Sequence, residues 1–196
     1  MTILKYITYC YCFLLVACAN QHVVDYQSQN SSVDTTYIQQ ELATLIQPYR
    51  SEVDSLMGQI IGTSAEAMSK AQPESTLGNF VADIVYASGY QLAKEEIGET
   101  FTHQNAFALI NYGGLRASIS KGDISIGDVF QLMPFDNTIS ILKLPASRMP
   151  DMIEYMKLSN GQPVGNLQLV YDKTTAKVFI GNELFTAPYF FVITSN

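Results

Sequence analysis

Ala106-Phe107-Ala108-Leu109-Ile110-Asn111-Tyr112-Gly113-Gly114-Leu115-Arg116 is the stretch from which the rest of the chain can be placed. Its apolar run is too short for a globular helix and ends in turn chemistry, so it predicts a buried strand running into a glycine loop. Glycines at 113 and 114 let backbone approach a ligand closely, because no Cβ intervenes. Arg116 follows with a planar, permanently charged fork suited to phosphate.

Upstream, Leu77, Phe80, Val81, Ile84 and Val85 recur at helical spacing behind Ser75 or Thr76 as cap, which predicts a helix with that row as its core face. An earlier helix is expected from Thr35 or Thr36, with Ile38, Leu42, Leu45, Ile46, Tyr49, Val53 and Leu56 on one face and Pro48 inside it. A short strand over 59–62 separates the two. Downstream, Ser125 with Asp128 reads as a capping box opening a short helix whose Val129, Leu132 and Met133 turn inward. Residues 137–144 read as a strand. Ser147 opens a further helix, with Pro150 in its first turn and Met149, Met152, Ile153 and Met156 as core filler.

Beyond Gly161 the pattern becomes strands at 167–171, 176–180 and 189–194, with turns at 172–175 and 181–182. Tyr189-Phe190-Phe191-Val192-Ile193 is so apolar that it belongs in the middle of a sheet. Helices interspersed with hairpins predict an α+β fold, with helices layered on a mixed sheet.

The composition sets bounds on function. With 196 residues and 47% hydrophobic content, the chain suits one ordinary globular domain plus a leader. A formal charge of −7 argues against nucleic acid, which needs clustered Lys and Arg. Lys5 followed by the apolar run 7–17 reads as an export signal. Leu15-Val16-Ala17-Cys18 resembles a bacterial lipobox, in which Cys18 is acylated; an ordinary signal with a chance cysteine is the competing reading. Residues 1–17 are thus expected to be a lipoprotein signal, 18–36 a polar tether and 37–196 the folded domain. Cys10 and Cys12 would leave with the signal, which leaves no thiol for chemistry.

Four separated blocks carry a family resemblance. Glu74-Ser75-Thr76-Leu77-Gly78-Asn79 with Ala82-Asp83, then Asn111 to Arg116, then Gly122-Asp123-Ile124 with Gly127-Asp128-Val129, and finally Pro134-Phe135-Asp136-Asn137-Thr138 resemble, in order and spacing, the 5'-nucleotidase C-terminal domain. The resemblance implies a substrate-recognition domain. It implies that Phe135 stacks on a base, Asn111 hydrogen-bonds it and Arg116 contacts phosphate. Read from the residues, Gly113 and Gly114 let the backbone approach the ligand, and Asn137, a residue type that often satisfies turn amides at a strand entrance, supports the site from behind. Read from the residues alone, Arg116 could instead pair with Asp123 or Asp128, and Phe135 could be a core residue. Asn79 reads as helix-cap support, and Asp83 as a buried hydrogen bond holding the glycine loop.

In the full-length family a separate metallophosphoesterase domain runs the reaction. Its His and Asp runs are absent here, and His22 and His103 read as surface residues. The chain is therefore expected to hold no catalytic residue, no metal and no cofactor of its own. The expected partner is a separate metallophosphoesterase chain that supplies divalent metals, and the expected ligand is a nucleotide or nucleotide-sugar. The expected setting is the bacterial cell envelope, at the outer membrane, with attachment through the lipid at Cys18. The rival is an envelope scaffold that kept the fold and lost the ligand. Two departures favour it: Ala67, Ala71 and Pro73 stand where the family often has arginines, leaving Lys70 as the nearby cation, and the chain stops at Asn196, before the family's second stacking aromatic, so that either the sequence is a fragment or one side of the base pocket is lost.

Overall fold

A computed structural model describes residues 39–171 and 176–195. The signal, the tether, Ile38, the expected helix start at Thr35 or Thr36, the turn 172–175 and Asn196 lie outside the described residues. The chain divides into two compact units, Met1–Leu45 and Ile46–Asn196, and the packing and the site described below belong to the second.

The first helix, α1 (Gln40–Met57), carries Pro48 inside it and buries none of its residues. Strand β1 (Ile60–Ser64) follows and pairs antiparallel with β3 (Gly122–Ser125). Between them lie α2 (Thr76–Ile97) and β2 (Ala106–Leu109). After β3 come α3 (Ile126–Leu132), β4 (Ile139–Pro145) and α4 (Met149–Leu158). Then follow β5 (Val164–Gly165), β6 (Leu167–Tyr171), β7 (Ala176–Ile180), β8 (Glu183–Leu184) and β9 (Tyr189–Ser195).

The main sheet is four-stranded, in the order β4-β9-β2-β5. Its β2–β9 pair is parallel, while β4–β9 and β2–β5 are antiparallel, so the sheet is mixed and the fold is α+β. Its most apolar strand, β9, lies inside, between β4 and β2. Alternation divides its side chains between two layers. Phe191 and Ile193 join Ala106, Ala108, Ala93 and Phe101 on the face that α2 covers. On the opposite face Phe190 and Val192 join Phe107 of β2, Met149 of α4 and Val178 and Ile180 of β7. Phe101, Phe107, Phe190 and Phe191 are all fully buried, each contributing on the order of 1.5–3 kcal/mol of transfer free energy.

A third cluster joins Met68, Leu77, Val81, Leu115, Ile119, Ile124 and Leu132. It locks α2, the glycine loop, β3 and α3 together. Ser75 caps α2 by accepting from the Gly78 N–H, and the Ser125–Asp128 capping box opens α3 with both reciprocal bonds formed.

Four sequence expectations need correction. Phe80 and Ile84 are 37% and 49% exposed, so they are not core. The buried row of α2 is Leu77, Gly78, Val81, Ala82, Gly89 and Ala93. Small residues there let the sheet press on the helix backbone, and a row so poor in large side chains leaves little hydropathy signal. Val129 is likewise exposed, and only Leu132 of α3 is buried. Asp83 is exposed and makes no hydrogen bond among the described residues, so the glycine loop is held by other groups.

Candidate functional site

The loop after β2 is fastened at several points, each of which aims a side chain. Ile110 N–H donates to the Pro163 carbonyl at 2.9 Å, and Tyr112 N–H donates to Gln162 Oε1 at 2.7 Å. Asn111 then caps a 3-10 turn over Tyr112–Gly114, its Oδ1 accepting from Gly113 N–H at 2.9 Å. That use of the carbonyl leaves the Asn111 amide nitrogen as the group able to donate to a ligand. A Cβ built on Gly114 would meet nothing within 4 Å, so the backbone there borders open space.

Leu115 is fully buried and anchors the loop's far end. Lys70 clamps it from behind, with Nζ donating to the Leu115 carbonyl at 2.8 Å and standing 4.6 Å from the Tyr112 ring centroid. The next bond decides the site. Arg116 N–H donates to the Leu132 carbonyl at 2.8 Å, which ties the loop to the end of α3. The chain then turns through Met133, whose carbonyl accepts from Phe135 N–H at 2.8 Å. Arg116 and Phe135 are thereby set side by side, with the guanidinium carbon 5.4 Å from the ring centroid.

Asn111, Gly113, Gly114, Arg116, Phe135 and Asn137 all line one cavity of about 180 Å³. Ile110, Met133 and Ser195 complete its wall. Sequence reading missed these three. Ser195 pairs with Ile139 in the β4–β9 ladder, so its nearness to Asn137 follows from strand register, which no local signal announces.

The cavity's charge is simple. Arg116 is its one ionic group, and it forms no ion pair among the described residues. Asp128, a partner allowed by sequence, is engaged elsewhere: its carboxylate accepts from the Ser125 hydroxyl at 2.6 Å and the Ser125 N–H at 2.8 Å, which holds its pKa below the ordinary value. The other alternative, Phe135 as core, is not met, since the ring is 47% exposed. A guanidinium beside an open aromatic face suits a ligand with one anionic end and one flat end.

The lining does not suit a metal ion. It offers amides, a hydroxyl and a cation but no carboxylate or imidazole. Among the described residues no group of three His, Cys, Asp or Glu is placed to hold one. His103 is exposed but engaged, with Nδ1 2.6 Å from the Tyr86 hydroxyl and its ring stacked 3.8 Å from Tyr90.

A larger groove of about 740 Å³ adjoins Tyr112 and runs along Gln72, Asn79, Gln162 and Asn166. Size alone would select it. The amide nitrogens of three of these, however, are engaged inside the protein: Gln72 donates to the Ser159 and Gly161 carbonyls, Asn79 to Glu74, and Asn166 to Tyr86, His103 and Ala106. The chemistry favours the smaller cavity.

Comparison with known proteins bears on the family. The family model described as 5'-nucleotidase, C-terminal domain, matches residues 54–178. The trifunctional nucleotide phosphoesterase protein YfkN of Bacillus subtilis is 32% identical over 111 residues, covering 54% of this chain and 7% of that protein. A 5'-nucleotidase of Vibrio parahaemolyticus is 32% identical over 87 residues, covering 39% of this chain and 15% of its own length. Among solved structures, a 5'-nucleotidase precursor from Thermus thermophilus superposes with a TM-score of 0.55 at 24% identity, over 80% of this chain and 32% of the other. That likeness concerns the fold. The chain spans only a small fraction of these relatives.

Proposed function

Because the chain belongs to the 5'-nucleotidase C-terminal domain family, we propose that it recognises a nucleoside phosphate between Arg116 and Phe135 for a hydrolysis carried out by another polypeptide. One observation carries the reading: a guanidinium that forms no ion pair among the described residues and an exposed ring, far apart in sequence, face the same cavity. Arg116 would take the phosphate with its fork, Phe135 would stack on the base, and the Asn111 amide would donate to the base edge. Asn137 would border the bound base.

The proposed partner is a metallophosphoesterase supplied as a separate chain, which would bring divalent metals and activated water. A two-metal site needs many acidic and imidazole ligands, and the cavity described here has none. The proposed setting is the bacterial envelope, with the chain attached through lipid on Cys18. Phosphate release from AMP, measured with this chain, with a candidate partner and with both, tests the division of labour. Release by this chain alone overturns it.

A scaffold role is the second reading, and one observation favours it. The cavity holds about 180 Å³, below the roughly 300–1,000 Å³ usual for small-molecule sites, and Lys70 faces the Leu115 carbonyl instead of the cavity. Calorimetry with AMP and adenosine separates the two readings. A scaffold gives no heat with either.

A further inference from the structure

Among the described residues, the face of α1 that would ordinarily meet a core stays largely exposed. Ile46, Tyr49, Val53 and Leu56 are 49%, 70%, 52% and 48% exposed, although a soluble helix normally buries such a stripe. Their spacing alternates three and four residues, the period of a two-stranded seam. In heptad terms, β-branched Ile46 and Val53 take the first core position, while Tyr49 and Leu56 take the second. Leu42 continues that second position one step upstream in the sequence. A β-branched residue at the first position with leucine at the second favours dimers over larger bundles.

The flanks agree. Arg50 and Glu52 border the seam on opposite sides, and in a parallel pair the partner positions facing them are Leu45 and Met57. No like charges meet. Pro48 and Ser51 fall on the far side, so the proline does not obstruct a neighbour. Five side chains leaving on the order of 100 Å² each would let two copies bury on the order of 1,000 Å², about the minimum for a specific interface. A lipid surface fits less well, because helices that lie on membranes carry Lys and Arg on the polar face, whereas this one carries Glu41, Glu52 and Asp54 against Arg50.

We infer that α1 pairs with α1 of a second copy of this chain, in parallel, through the Ile46, Tyr49, Val53 and Leu56 seam. The pairing is independent of the nucleotide reading and is tested without ligand. Sedimentation of the full chain in density-matched detergent, over ~1–100 μM, should give twice the chain mass. Val53→Lys and Val53→Glu should each weaken self-association by about 100-fold, because like charges would face each other across the seam. Mixing the two variants should restore the double mass, since Lys would then face Glu; a merely misfolded variant would not recover. Ser51→Lys, on the opposite face, should leave the mass unchanged. A monomer throughout the range overturns the inference, as does a dimer that Val53→Lys does not weaken or a mixture that stays monomeric.

Discussion

The guanidinium carbon of Arg116 stands 5.4 Å from the centroid of Phe135, and the two residues are joined through a short backbone circuit: Arg116 N–H to the Leu132 carbonyl, then Phe135 N–H to the Met133 carbonyl. Both groups are therefore positioned by main chain, and substituting either side chain should leave the loop in place. That separation makes the ligand hypothesis testable one group at a time.

Arg116→Ala should weaken AMP binding by the value of a charge-assisted hydrogen bond, about 1.5–3 kcal/mol, while adenosine binding changes little. Arg116→Lys should recover only part of the loss, because an ammonium keeps the charge but not the fork. Calorimetric titration of the three proteins with both ligands checks this. Equal losses for AMP and adenosine would mean that Arg116 does not contact phosphate.

Phe135→Ala should weaken AMP and adenosine alike, by about 1–3 kcal/mol for a lost stacking surface. Phe135→Tyr should bind nearly as the parent does. Because the ring is 47% exposed, neither change should move the melting temperature as a core phenylalanine would. A large fall in melting temperature for Phe135→Ala would reassign the ring to packing.

The sequence shows these side chains and the main architecture because each has a local cause. Ser125 and Asp128 announce the cap of α3, and the continuous apolar run of β9 announces an interior strand. What it hides is non-local. Gly78, Ala82, Gly89 and Ala93 form the buried row of α2 only because the sheet comes close, so the larger Phe80 and Ile84 attract the reading and are exposed instead. Asp83 sits beside that row, yet the glycine loop is held by Lys70 and Gln162, residues far from it in sequence. Ser195 enters the cavity through strand register. Strands β5 and β8, two residues each, are too short for a periodic signal.

Close approach of the helix to the sheet gives a stability prediction. A Cβ on Gly165 would lie 2.6 Å from the Ala82 carbonyl oxygen and 2.9 Å from its carbon, both backbone atoms that cannot swing aside. Gly165→Ala should therefore push β5 away from α2 and cost about 1–3 kcal/mol as overpacking. At Gly89 the first obstacles are the γ2 methyls of Ile193 and Ile139, so a Gly89→Ala, Ile193→Leu double variant, which removes the γ2 methyl of Ile193, should recover part of what Gly89→Ala alone loses. Denaturant unfolding of these variants measures both, and no recovery in the double variant would place the clash elsewhere.

Acid titration offers a last check on the cap that sets the position of Leu132 and hence of Arg116. The Ser125 hydroxyl and N–H both donate to the Asp128 carboxylate, so its folded pKa lies below the ordinary value of 3.8. A group depressed on folding contributes stability that is present above its unfolded pKa and lost as pH falls through the folded one. Stability should therefore decline on acidification below about pH 4. Ser125→Ala should raise the Asp128 pKa towards 3.8 and flatten that part of the pH dependence, read by carboxyl carbon NMR and by unfolding at several pH values. Because the same substitution loosens the start of α3, whose last carbonyl holds the Arg116 N–H, AMP affinity should fall with it, whereas Asp123→Asn, a neighbour outside the cap, should leave both unchanged. An Asp128 pKa that stays depressed in Ser125→Ala would show that the serine is not its cause.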